Sequence, residues 1–148
     1  MKTAIVYYSA HHGNTRKLVE AVAQGRDVTL IDAQDVKSAG LSGYDLIGFA
    51  SGIYYGTFHQ SVLDFVKNNL PQGKKVFFLS TYGGRNNIKA IEAEVKAKGA
   101  QVVGCFGCKG YDTFGPFKLV GGIAKGRPNE TDLKNACGFF DGLLKAAQ

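Results

Sequence analysis

Five apolar runs separated by helix-patterned segments constrain this chain most. They are TAIVYY (3–8), DVTLID (27–32), YDLIGFAS (44–51), KKVFFLST (74–81) and QVVGCFGC (101–108). Several are continuous rather than alternating, as in strands buried on both faces. Between them, Leu18, Val19, Val22 and Ala23 share one helical face over 15–24. Val62, Phe65, Val66 and Leu70 mark a helix that stops before Pro71, and Ile88, Ile91 and Val95 mark one ended by Gly99. The connection 33–43 contains Gly40 and Gly43 and has room only for a brief helix. In a last helix Leu133, Cys137, Phe140 and Leu144 form the inner face, with Asn129 as N-cap and Asp132 at the N3 position of a capping box. Strand alternating with helix predicts an α/β fold. We expect one domain over 1–148: a three-layer, doubly wound, five-stranded parallel sheet with right-handed crossovers.

The length of 148 residues suits one domain with a full core. No apolar run reaches the roughly 20 residues that span a bilayer, and the N-terminus runs straight into a strand, so no membrane insertion or leader is expected. Three cysteines make no disulfide framework, which fits a reducing, cytoplasmic setting. The net charge of +6 favours anionic ligands or acidic partners. The lysines form no run of five, and nucleic-acid binding is not expected. Glycine is abundant, 20 residues, and many follow the apolar runs, where turns approach a ligand or another backbone.

In an open parallel sheet the ligand lies beyond the carboxyl ends of the strands. The loop after the first run is SAHHGNT: Ser9, Asn14 and Thr15 bring short polar groups, Gly13 permits close approach, and helix N–H groups follow. That suits an anion such as phosphate, although Ser9 or Asn14 as a simple helix cap is equally compatible. After the third run, SGIYYGTFH (51–59) sets Tyr54 and Tyr55 between Gly52 and Gly56. After the fourth, STYGGRNN (80–87) repeats a hydroxyl, Tyr82, Gly83 and Gly84. Tyrosines on loops suit a flat ring; packing on the next helix and a plain surface turn are the alternatives. Each loop is weak alone, but three at converging strand ends point to a phosphorylated flat cofactor.

Over nearly the whole chain these motifs resemble the short-chain flavodoxins and flavodoxin-like FMN proteins. The resemblance implies strand order 2-1-3-4-5 and bound FMN. Ser9, Gly13, Asn14 and Thr15 match the family's phosphate loop, with His11 and His12 where one threonine is usual, His12 aligned with it. Ser51, Gly52, Ile53, Tyr54, Tyr55 and Gly56, with Ser80, Thr81, Tyr82, Gly83 and Gly84, match the two loops around the flavin ring; the chain has no tryptophan for stacking. The resemblance further implies one-electron transfer between redox partners. A carbonyl of the 51–56 loop would meet flavin N5–H after a peptide flip, at Gly52 or Gly56. Many flavodoxins are strongly acidic. A charge of +6 instead implies acidic docking surfaces on the partners and a less negative potential for the second electron. A monomer is expected.

Competing chemistries fare less well. Ser9 and Ser51 stand where a phospho-receiver needs acids, and SAHHGN lacks the G-x-G-x-x-G of a dinucleotide fold. Cys105 and Cys108, both in or at the end of a strand, read as one buried and one loop cysteine rather than a redox pair, and Cys137 reads as core. A metal held by His11, His12 and His59 lacks cysteine or carboxylate partners. The segment GIYYGTFHQSVLDFV also resembles menaquinone-dependent protoporphyrinogen oxidase, but 80–87 runs into a helix without that enzyme's insertion. An electron carrier is the leading expectation, with no catalytic residues of its own. The alternative is an FMN-dependent oxidoreductase acting on a quinone or small substrate, with residues 109–128 shaping its pocket. A scaffold that has lost its cofactor is the third class.

Overall fold

The computed structural model describes residues 1–10, 13–110, 124 and 126–147. Six strands and four helices follow one another as β1 (Thr3–Tyr8), α1 (Asn14–Ala23), β2 (Val28–Asp32), β3 (Leu46–Tyr54), β4 (Thr57–Phe58), α2 (Gln60–Asn69), β5 (Lys75–Tyr82), α3 (Lys89–Lys96), β6 (Gln101–Lys109) and α4 (Glu130–Ala147). The main sheet runs β2-β1-β3-β5-β6, all parallel, and β4 pairs antiparallel with β3. In the numbering of the five main strands this is the expected order 2-1-3-4-5.

Alternation along the strands builds the two faces. Ala4 and Val6 of β1, Ile47 and Phe49 of β3, and Val76 and Phe78 of β5 join α2 and α3 in one core. Ile5, Tyr7, Leu46, Ala50, Phe77 and Leu79 point the other way and join α1 and α4. The runs are continuous in sequence because both faces are covered. Gly48 of β3 makes room for Phe77 beside it: a Cβ there would overlap the phenyl ring. Gly104 of β6 likewise admits Phe139 and Leu143 of α4.

Three expectations are corrected. The third strand does not end at Ser51 but runs on to Tyr54, turns through Tyr55 and Gly56, and returns as β4. Ser51 and Gly52 are small and polar, but both find sheet partners in β5, so the ladder continues. The connection 33–43, with room for at most a brief helix, makes turns and packs Leu41 into the core. The most buried positions of α4 are Asp132, Ala136 and Phe140, so its inner face is turned from the one expected, with Leu133 and Leu144 at the margin and Cys137 half-buried. Cys105 and Cys108 both lie in β6, so neither is a loop cysteine; one is buried, Cys108, and Cys105 is exposed, as residues three apart on a strand must face opposite ways.

Candidate functional site

The sheet register brings the three loops to one level. Tyr8 at the end of β1 pairs with Ser51 of β3, and Ser51 pairs with Ser80 of β5. Thr81 sits one step further, opposite Gly52. The residues read as three separate loops therefore share one rim at the carboxyl ends of adjacent strands.

On this rim the first loop leads into α1. Gly13, the N-cap, is left-handed (φ 66°), and open space surrounds the place a Cβ would occupy. No acidic residue stands in the first turn of α1, and the N-cap residue offers no side-chain cap. The positive end of the helix dipole is thus not neutralised by the helix's own residues. Ser9 Oγ accepts the N–H of Arg16 at 3.0 Å, which ties the loop to the third helical residue. This is the capping role that the sequence left open, and the hydroxyl proton can still be donated. Thr15 is buried, and its hydroxyl lies 2.9 Å from that of Thr81. Asn14 is also buried and packs against Gly110, where a Cβ would come within 2.8 Å of its side chain. His11 and His12 lie outside the described residues.

The second loop is a tight hairpin. Tyr54 pairs with Thr57 across a two-residue turn in which Tyr55 (φ 48°) and Gly56 (φ 80°) are both left-handed. This is the pattern of a type I′ turn, whose twist suits a hairpin. Glycine takes such a backbone freely, whereas a tyrosine takes it at a cost of about 1 kcal/mol. Tyr55 is 84% exposed at the tip, the most exposed large apolar side chain described. Tyr54 leans back along the strand: its hydroxyl accepts the N–H of Ala10 at 3.2 Å, joining the second loop to the first. Gly52 lies beneath it, where a Cβ would be 3.0 Å from that hydroxyl.

Two aromatic residues were not among the expected site residues. Tyr8 and His59 stack with centroids 3.6 Å apart at 11°, and Tyr54 meets both edge-on. His59 had been considered only as a metal ligand. Its Nδ1 instead accepts the Ser61 N–H at 3.1 Å and caps α2. Burial, then the nearby Lys37, hold its pKa below the ordinary imidazole value, against the pull of Asp64. The signal available in sequence was a polar residue directly before the helix, followed two positions later by serine.

In the third loop Ser80 Oγ donates to Asn86 Oδ1 at 2.7 Å, and Gly110 N–H donates to Tyr82 O at 2.9 Å. Lys109 Nζ bonds the carbonyls of Gly83 and Gly84 at 3.3 and 3.4 Å and sits 5.2 Å from the Tyr82 ring centroid. A positive charge is thus fixed beside this loop, a residue that sequence reading missed because it ends a different strand. Next to the rim, burial pushes the Cys108 thiol up to about 12, so it stays protonated and unreactive at neutral pH. Cys105 points away from it, and the two form no redox pair. Among the described residues, no group of three or more His, Cys, Asp or Glu side chains is arranged to hold a metal.

The rim therefore offers a helix N-terminus with no acidic residue in its first turn beside a tyrosine hairpin and a second tyrosine loop, which fits a planar ligand carrying a phosphate. A flavodoxin-domain family model matches residues 5–115. The chain belongs to the flavodoxin family. An uncharacterized protein of Methanocaldococcus jannaschii is 40% identical over 149 residues, covering 98% of this chain and 99% of that one. Among solved structures, a flavodoxin from the domain Archaea superposes with a TM-score of 0.68 at 23% identity, covering 99% of each chain. Oxidised flavodoxin 2 from Bacillus cereus gives 0.67 at 17% identity, over 97% of this chain and 99% of that one. At these identities the two structures speak for the flavodoxin fold. Most of the 109–128 segment, on which a substrate pocket would depend, lies outside the described residues, and no helix of the described residues is long and apolar enough to cross a membrane.

Proposed function

We propose that this flavodoxin-family chain binds FMN on the strand-end rim and carries electrons one at a time between redox proteins in a reducing, cytoplasmic compartment. The observation that carries the reading is the common level of Tyr8, Ser51 and Ser80, which sets the open N-terminus of α1 beside both tyrosine loops. Ser9, His11, His12, Gly13, Asn14 and Thr15 form the phosphate loop, contributing backbone N–H groups and the Ser9 hydroxyl. Tyr54, Tyr55 and Gly56 form one wall of the ring site, and Tyr82, Gly83 and Gly84 the other. Ser51, Gly52, Ile53, Ser80 and Thr81 form its floor. When bound, FMN supplies the one-electron chemistry, and the protein binds and tunes it.

The hairpin narrows where a peptide can reorient. Gly52 pairs with Thr81 inside the sheet, so a flip there would break the ladder. The Tyr55–Gly56 turn has no ladder to break, and the left-handed Gly56 takes either orientation at small cost. Lys109, held by the Gly83 and Gly84 carbonyls, places positive charge near negative charge that develops on reduction.

Purified protein reconstituted with FMN and titrated with reductant tests the reading. Flavin absorbance bands, one equivalent of FMN per chain and reduction in two separate one-electron steps are expected, without quinone-reductase turnover. Absence of flavin binding would overturn the reading, and turnover with a quinone would replace the carrier with the oxidoreductase.

A further inference from the structure

His59 touches several of the elements that meet at the second loop. Its backbone N–H donates to Ser51 Oγ at 3.0 Å, and Ser51 Oγ in turn donates to the Gly52 carbonyl at 2.6 Å. Its Nδ1 accepts the Ser61 N–H and lies 2.9 Å from the Ser61 hydroxyl. Its ring stacks on Tyr8 of β1 and meets the edge of Tyr54, whose hydroxyl holds Ala10 of the first loop. The imidazole thus links Tyr8 of β1, Tyr54 at the end of β3 and Ser61 of α2, the His59 main chain adds the bond to Ser51, and through Tyr54 the ring reaches the phosphate loop.

The neutral ring suits this position best. Because Nδ1 accepts the Ser61 N–H, the neutral ring carries its proton on Nε2. A second proton on Nδ1 would face the Ser61 N–H, donor against donor, with the Ser61 hydroxyl 2.9 Å away as its acceptor. It would also place a cation at the positive end of the α2 dipole. Lys37, from the connection after β2, adds to the repulsion, while Asp64 on α2 opposes it. Tyr8 and Tyr54 face the ring with aromatic surface.

We propose that neutral His59 is a positioning residue that locks the Tyr54–Thr57 hairpin against β1 and α2 and couples it, through the Tyr54–Ala10 hydrogen bond, to the phosphate loop, so that flavin binds the form with unprotonated His59. The inference rests on the FMN reading above for its ligand and on the geometry alone for the coupling.

The test measures FMN affinity by quenching of flavin fluorescence from pH 8 to 5, in the wild type and in His59→Asn. Asparagine still caps α2 but neither titrates nor stacks as imidazole does. In the wild type the apparent Kd rises as pH falls below the His59 pKa, approaching about tenfold per pH unit. In His59→Asn, binding is weaker at pH 8 and this rise is lost. The same rise in both proteins assigns the titration elsewhere, to His11 or His12, and overturns the proposal, as does a flat wild-type profile. A second arm uses the apoprotein, with a thermal melt confirming that the variant folds. Amide exchange at Ser61 and Ala10, corrected for intrinsic rates, accelerates on acidification in the wild type and not in His59→Asn. Unchanged exchange at both amides overturns the coupling. This arm reads out with or without FMN, so failure of the inference and failure of the FMN reading are separable.

Discussion

At the scale of single residues, the site is a set of side chains whose first partners are each other. Thr15 and Thr81, 66 positions apart, share a buried hydrogen bond that pattern reading had no means to pair. Ser9, Thr15, Ser80 and Thr81 were legible as polar groups at strand ends, because strand ends follow from the apolar runs. Which hydroxyl is already engaged depends on register and rotamer, and neither is written in local sequence. His59 was hidden for the same reason: its role comes from stacking on Tyr8, 51 positions earlier. Tyr55 shows the opposite balance, an exposed aromatic in a backbone conformation that suits asparagine or glycine. Tyr55→Asn should therefore stabilise the apoprotein by about 0.5–1 kcal/mol, since asparagine fits the left-handed turn position better. It should also weaken FMN binding, by about 1 kcal/mol for a lost ring contact. Urea unfolding of the apoprotein and an FMN titration read the two effects, which move in opposite directions if the strain serves the ligand.

Secondary-structure elements were the most legible part. Long apolar runs and helical stripes located five strands and four helices to within a few residues, because burial on both faces leaves a strong signal. The hairpin was not legible: Tyr55-Gly56 replaces the asparagine-glycine that announces a two-residue turn, and Ser51-Gly52 look like a strand end. The start of α4 was read correctly. Asn129 Oδ1 accepts the Asp132 N–H at 3.0 Å, Asp132 accepts the Asn129 N–H at 2.8 Å, and Arg127 adds two bonds to the same carboxylate, each 2.6 Å. The Arg127 guanidinium chiefly, helped by the Asn129 N–H, holds the Asp132 carboxyl below its ordinary pKa. A depressed carboxylate pKa stabilises the fold at pH values above the unfolded pKa near 4, and that contribution is lost as pH falls through the folded value. Asp132→Ala should cost about 1–2 kcal/mol at pH 7, as loss of a capping partner does. The penalty should shrink as pH falls below about 4 and through the lowered folded-state pKa, which urea melts at several pH values would follow.

For the whole molecule, the charge of +6 sets how the protein meets others. Lys109 and Arg85 stand at or beside the third loop, so an acidic partner surface would be drawn towards the proposed flavin edge. Stopped-flow reduction by the native partner should slow as salt rises from about 0.05 to 0.5 M, because the Debye length falls from roughly 14 to 4 Å. A rate that is flat or rises with salt would remove the acidic-partner expectation. Composition carried this reading, but it could not say where the charge sits; only the fold put Lys109 next to Tyr82.

The short hairpin also sets how much of the protein would rearrange if the proposed ligand changed state there. Phe58, immediately after the turn, is buried among Phe78 and its neighbours, and Ile53 pairs with it across the ladder. The hinge is therefore anchored in the core, and the part left to swing is two residues long. Reorganisation during electron transfer would be confined to a single peptide at the tip, with the sheet beneath it acting as a fixed mount. Residues 55 and 56 are then the natural dial for redesign: exchanging them can retune the ring's surroundings while the sheet beneath keeps its packing.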